Sequence, residues 1–171
     1  YRNGLITGTH VALDSSFVKT FSKKEEEGSN GWNGFKESYG FKLHLLIDAT
    51  THFPIALIVG DGTTHDGQLA IPLLKRARPW LKKVGYVLAD KGYDSTDIVT
   101  YIFKRLHAKA GIPVRKKSRL AKRRKNRYGN YTNWKLKAAG RSLKHSILNR
   151  RSSIERVFSS LKRTYHLGHE E

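Results

Sequence analysis

The sequence contains no cysteine, which excludes a disulfide framework and a thiolate metal site and leaves carboxylates and eight histidines as the available metal ligands. It also contains no methionine, initiator included, so the chain is expected to begin partway through a longer protein. No run of eighteen or more apolar residues occurs, and Tyr1-Arg2-Asn3-Gly4 lacks the charged-then-apolar layout of a secretory signal. A soluble intracellular protein without a membrane partner is the expectation. Acidic residues are scarce as well, 14 against 33 basic, for a net charge of +19. Residues 1–114 carry 15 basic and 11 acidic side chains, whereas residues 115–171 carry 18 and 3, so the cation is the carboxyl-terminal third. A field of that sign attracts polyanions and releases their counterions, which makes nucleic acid the first partner to consider. A basic solubilising tail is the plainer explanation of the same charge.

The 171 residues suffice for one domain with a core and crowd two. His10–Thr20 reads as a strand containing Asp14, and Lys23–Gly34 as a Gly-rich loop. Gly40–Ile47 reads as a second strand in which Phe41, Leu43, Leu45 and Ile47 alternate with Lys42, His44 and Leu46, one face buried and the other partly polar. Thr50-Thr51-His52 fits a tight turn before a third strand, Ile55–Val59, giving an antiparallel meander. Asp66 can cap a helix whose Leu69, Leu73, Leu74 and Ala77 recur at helical spacing. Val84–Ala89 is a short buried strand that ends at Asp90-Lys91-Gly92. A second helix capped by Asp94 or Ser95 presents Ile98, Tyr101, Ile102 and Leu106 on one face until Gly111 and Pro113 stop it. Ile112–Val114 can form an edge strand. Arg115–Arg127 holds nine basic residues in thirteen and no acid, so it is solvated or laid along an anion. A last helix spans about Ser142–Tyr165, with Ile147, Ile154, Phe158, Leu161 and Tyr165 on one stripe. The order is α/β with a mixed sheet. Neither a Gly-x-Gly-x-x-Gly fingerprint nor a P-loop is present, which disfavours a nucleotide-binding doubly wound sheet.

Three acids stand out. Asp14 interrupts the apolar Val11-Ala12-Leu13 run, where an ionised carboxylate is costly without a compensating cation or donors, although a partly exposed strand aspartate accounts for it equally. Asp90 lies where a buried strand enters a turn, a place where ligands gather in open α/β sheets and where turn-forming aspartates are also common. Glu155 lies about 40° from Arg151 and about 20° from Lys162 around its helix, so the three share a side; an ordinary i, i+4 surface pair with Arg151 explains the first relation. His44 and His65 read as structural hydrogen-bonding groups rather than ligands.

In combination these positions resemble a family. Val11-Ala12-Leu13-Asp14-Ser15-Ser16, Ala89-Asp90-Lys91-Gly92-Tyr93-Asp94 and Arg151–Lys162 are similar to the three acidic blocks of insertion-sequence DDE transposases, supported by Tyr39-Gly40-Phe41-Lys42-Leu43-His44 and His65-Asp66-Gly67-Gln68-Leu69. The resemblance runs from about Val11 to Leu167. It implies a ribonuclease H-like fold, a mixed sheet of about five strands flanked by helices, in a single catalytic domain over residues 1–171 that lacks an upstream DNA-binding module. It implies Asp14, Asp90 and Glu155 as catalytic metal ligands for two Mg²⁺ or Mn²⁺ ions, Asp14 bridging them, with Arg151 and Lys162 on phosphate. It further implies cleavage at transposon ends and transfer of a 3′ hydroxyl into target DNA, a homodimer on DNA, no small-molecule substrate, and a cytoplasmic, nucleoid-associated setting of prokaryotic type. The basic connecting segment 115–140 would follow the DNA backbone through Arg115, Lys116, Lys117, Arg119, Lys122, Arg123, Arg124, Lys125 and Arg127, with Tyr128, Tyr131 and Trp134 for stacking or for a minor helical core. One departure from the family pattern is Leu148, where a tyrosine is usual; the large β-rich insertion that some relatives place before the last helix is also absent. A catalytically decayed DNA-binding descendant and a nuclease that cuts without joining are the competing functions.

Overall fold

The computed structural model describes residues 5–20, 31–113 and 145–164. Its strands are β1 (His10–Lys19), β2 (Gly31–Asn33), β3 (Ser38–Asp48), β4 (Pro54–Asp61), β5 (Tyr86–Leu88) and β6 (Lys109–Gly111). Its helices are α1 (Asp66–Ala77), α2 (Thr96–Leu106), α3 (His145–Leu148) and α4 (Ser152–Thr164), with single 3₁₀ turns at Arg78–Trp80, Lys91–Tyr93 and Asn149–Arg151. β1, β3 and β4 form the expected antiparallel meander, while β5 pairs parallel to β1 and β6 parallel to β5. The order β2-β3-β1-β5-β6, with β4 also on β3, makes a mixed six-stranded sheet. This is the α/β mixed sheet flanked by helices that was expected, with one strand more.

The extra strand, β2, arises in the stretch expected to be loop. Trp32 packs edge-on against Tyr39 at 5.1 Å, and Asn33 Nδ2 donates to the Gly62 carbonyl at 2.8 Å, so pairing with β3 overrides the glycine content. At the far edge the strand expected at Ile112–Val114 is Lys109–Gly111 instead. α2 already ends at Leu106, because His107 takes a left-handed conformation (φ 52°) and closes the helix, so Gly111 and Pro113 are not its stop. α1 is capped by His65, whose Nδ1 accepts from the Gly67 N–H at 3.2 Å, and Asp66 occupies its first turn. The carboxyl-terminal helix is interrupted rather than continuous. Ser152 and Ser153 donate their hydroxyls back to the carbonyls of Asn149 and Arg150 at 2.8 and 2.7 Å, a local competition that tightens the turn.

Helices cover both faces of the sheet. On one, Ala70, Leu73, Leu74 and Ala77 of α1 and Ile98, Val99 and Ile102 of α2 bury Val11, Leu13, Leu46 and Val87. On the other, Ile154 and Phe158 of α4 bury Ala12, Leu45, Ile47 and Leu88. β3 is therefore buried from His44 to Asp48 on both sides, and the face expected to be partly polar carries a buried polar cluster instead of solvent contacts. Asp48 is wholly buried and accepts five hydrogen bonds, from the N–H groups of Thr7, Gly8, Thr50 and Thr51 and the Thr7 hydroxyl. Among the described residues no helix is long and apolar enough to cross a membrane.

Candidate functional site

Register places the first two acids together. Ala12 of β1 and Leu88 of β5 are partners in a parallel pair, and both point into the α4 side of the core. Side chains alternate along a strand, so Asp14, two residues on, emerges on that same face. Asp90 lies two residues beyond Leu88, just past the carboxyl end of its strand. Both carboxylates are half-buried. Each is oriented by the chain that follows it: the Ser15 N–H donates to Asp14 Oδ1 at 2.8 Å, and the Gly92 N–H donates to Asp90 Oδ1 at 2.5 Å. A Cβ on Gly92 would come within 2.7 Å of that Asp90 oxygen, so glycine is what lets the turn close on the carboxylate.

Burial, with added repulsion from Asp90 and Asp66, pushes the Asp14 carboxyl up to about 6, against the lowering influence of the Ser15 N–H and Arg151. A carboxylate in that condition favours an added cation or a proton.

α4 brings the third acid. Glu155 and Lys162 line a cleft of about 670 Å³ together with Asp14, Ser15, Ser16, Phe158, Ser159 and Arg163. Its side chain is 55% exposed and paired with Arg151 at 3.2 Å. The i, i+4 ion pair is thus real, and it stands at the edge of the cleft rather than on a remote surface. Asp90 does not line this cleft; its nearness to Asp14 is expressed through their repulsion. Among the described residues no three histidine or acidic side chains stand close enough to cage a metal ion. The donor chemistry itself is consistent with a hard divalent cation, since the groups offered are carboxylates and Asp14 is destabilised as an anion.

A second groove of about 540 Å³ adjoins the first at Glu155 and is bordered by Arg150, Arg151 and Arg156. Arg150, Arg156 and Arg163 were not among the residues singled out from the sequence; the two grooves on either side of Glu155 bring them to it. The basic segment from Arg115 to Arg127, Tyr128, Tyr131, Trp134 and Tyr165 lie outside the described residues.

His65 is the structural group expected, serving as a cap. His44 is not: it is 1% exposed and neither ring nitrogen has a hydrogen-bond partner. Burial, aided by Lys42 and opposed by Asp66, lowers its pKa and keeps it neutral.

Residues 6–170 match the family model described as the transposase DDE domain. The chain belongs to that family. Comparison with curated proteins gives no match. Among solved structures, the domain is similar to piggyBac transposase in its cryo-EM synaptic complex with hairpin DNA, at 18% identity and a TM-score of 0.46 over 66% of this chain. It spans only 24% of that chain.

Proposed function

We propose that this DDE domain, read as one catalytic unit over residues 1–171, cleaves phosphodiester bonds at transposon ends and joins the freed 3′ hydroxyl to target DNA. The observation that carries the reading is the shared cleft: Asp14 and Glu155 face one another's element across it, beside Lys162, and Asp90 follows the neighbouring parallel strand, near enough to repel Asp14. Asp14, Asp90 and Glu155 would hold Mg²⁺ or Mn²⁺, two ions in the expected form. Divalent ions so bound polarise phosphoryl oxygens and lower the pKa of an attacking hydroxyl.

The chain's own residues supply the rest. Lys162 and Arg163 line the cleft and offer cationic donors to phosphate oxygens, and Arg151 can exchange its Glu155 partner for phosphate once that carboxylate is engaged. The openness of the site to one side suits a polymer that must lie across it. DNA, as transposon ends and target, is the proposed partner, and a homodimer pairing two ends is the proposed assembly.

The test is nicking of supercoiled plasmid in Mg²⁺ or Mn²⁺. Asp90→Ala should reduce metal-dependent nicking by about a hundred- to a thousandfold, if loss of a preorganised electrostatic contribution is the guide, while DNA retention persists. Wild-type nicking by that variant sinks the assignment. Product analysis for target joining separates a transposase from a nuclease that only cuts, and an inert wild type that still retains DNA would identify a decayed binding protein.

A further inference from the structure

On the reverse face of β1, directly behind Asp14, lies a partly buried polar cluster that the proposed chemistry does not use. Ser15 Oγ donates to Asp66 Oδ1 at 2.7 Å. Lys42 Nζ meets the same oxygen at 3.0 Å and also donates to the Thr64 carbonyl at 2.9 Å. His44 stands opposite Ser15 in the β1–β3 register. Tyr93, wholly buried and belonging to the turn that Asp90 caps, brings its phenol beside Ser15, Asp66 and Asp14. Four separate chain segments therefore meet at one point: β1, β3, the start of α1, and the turn after β5.

Ser15 links the two faces. Its backbone N–H holds Asp14 Oδ1 on the cleft side, while its side chain, pointing the other way as strand alternation requires, is tied to Asp66. Fixing the hydroxyl fixes the peptide plane, and the peptide plane sets the Asp14 carboxylate. Lys42 neutralises Asp66 and keeps it turned toward Ser15. The Tyr93 ring, by filling the same interior, anchors the turn in which Gly92 orients Asp90. Like-charged Asp14 and Asp90 repel one another, so something behind them must oppose their separation.

We propose that Ser15, Lys42, Asp66 and Tyr93 form a positioning network that presets Asp14 and Asp90 for divalent-metal binding. The proposal rests on the reading of those two acids as metal ligands. It also gives a role to the Tyr39–His44 and His65–Leu69 stretches, which no step of the cleavage chemistry engages.

Mn²⁺ titration of the full chain by calorimetry, without DNA, tests this. Supporting residues behind metal ligands typically govern affinity by 10- to 100-fold. Ser15→Ala, Lys42→Met and Asp66→Asn should each weaken Mn²⁺ binding by about tenfold or more, and Ser15→Thr, which restores the hydroxyl, should return it near wild type. Asp48→Asn is the matched control: it perturbs another buried, hydrogen-bonded carboxylate, so it should lower the melting temperature yet leave Mn²⁺ affinity unchanged. Ser15→Ala removes only one oxygen and keeps the comparison available if Asp66→Asn fails to fold. Wild-type affinity in folded Ser15→Ala and Lys42→Met, or equal weakening in Asp48→Asn, overturns the network. If Asp14→Asn loses Mn²⁺ while the network variants do not, the network alone is wrong; if Asp14→Asn binds as wild type, the metal assignment fails and the network falls with it.

Discussion

Asp14 and Asp48 are both acids near the sheet, and their surroundings drive them in opposite directions. Asp14 has one backbone donor against burial and two neighbouring acids, so its folded pKa, about 6, lies above the value of roughly 3.9 for an unfolded chain. The folded state then binds the proton more tightly, and ionisation opposes folding: the penalty is complete above about pH 6 and disappears as pH falls below about 4. A shift of about two units corresponds to roughly 3 kcal/mol as an upper figure, because the group is only partly buried. Asp14→Asn should therefore stabilise the metal-free protein by up to about 3 kcal/mol at pH 8 and by little at pH 4, measured by urea denaturation, while removing metal-dependent nicking. A destabilised variant at pH 8 would contradict the environment described. For Asp48, burial works to raise the pKa, but the hydrogen bonds from Gly8, Thr7, Thr50 and Thr51 outweigh it and hold the carboxyl below the ordinary range. Its stabilisation is present above the unfolded value and is lost as pH falls through the folded one. Asp48→Asn should cost about 2 kcal/mol near neutrality, with the difference from wild type closing as the pH falls through the lowered folded-state pKa of Asp48.

At the scale of elements, α4 is the piece whose docking completes the cleft. Its apolar attachment is narrow: Ile154 is fully buried and Phe158 nearly so, with Val157 and Leu161 only partly covered. Ile154→Ala should cost about 2–5 kcal/mol by cavity formation, and because α1 and α2 bury the opposite sheet face independently, the loss should fall on α4 first. Amide exchange ought to accelerate in Ser152–Thr164 before β1 responds, and metal-dependent nicking ought to decline with it; uniform acceleration across both would argue for a single cooperative core. This element also marks what the sequence could reveal. The stripe of Ile147, Ile154, Phe158 and Leu161 was readable from helical spacing, as was the burial of Leu73, Leu74 and Ile102, because apolar periodicity is a local property. The break at Asn149–Arg151 was not, since it depends on two serine hydroxyls choosing backbone carbonyls over solvent. Nor was β2, which exists only because β3 offers an edge to pair with. At the site, Asp14, Asp90 and Glu155 could be singled out from their blocks, whereas the tie from Ser15 to Asp66 spans 51 residues and needs the folded register to be seen.

Across the whole molecule, charge and the acids of the proposed site are segregated. Two of the three acids sit in the nearly balanced first 114 residues, and most of the +19 lies beyond them, densest from Arg115 to Arg127. In the proposed function that segment retains DNA while the cleft performs chemistry, and the two roles can be separated by salt. Each phosphate neutralised on duplex DNA contributes roughly 0.9 to the slope of log affinity against log salt. Replacing Arg123, Arg124, Lys125 and Arg127 together by glutamine should flatten that slope by up to about 3–4, with the loss growing toward low salt, where counterion release is most favourable. Nicking measured at saturating DNA should persist, because the proposed chemistry draws on Asp14, Asp90 and Glu155 and on none of these four. An unchanged slope would show that these four cations remain hydrated beside bound DNA, and would direct the same test to Arg150 and Arg151 in the turn before α4 and to Arg156, Lys162 and Arg163 within it.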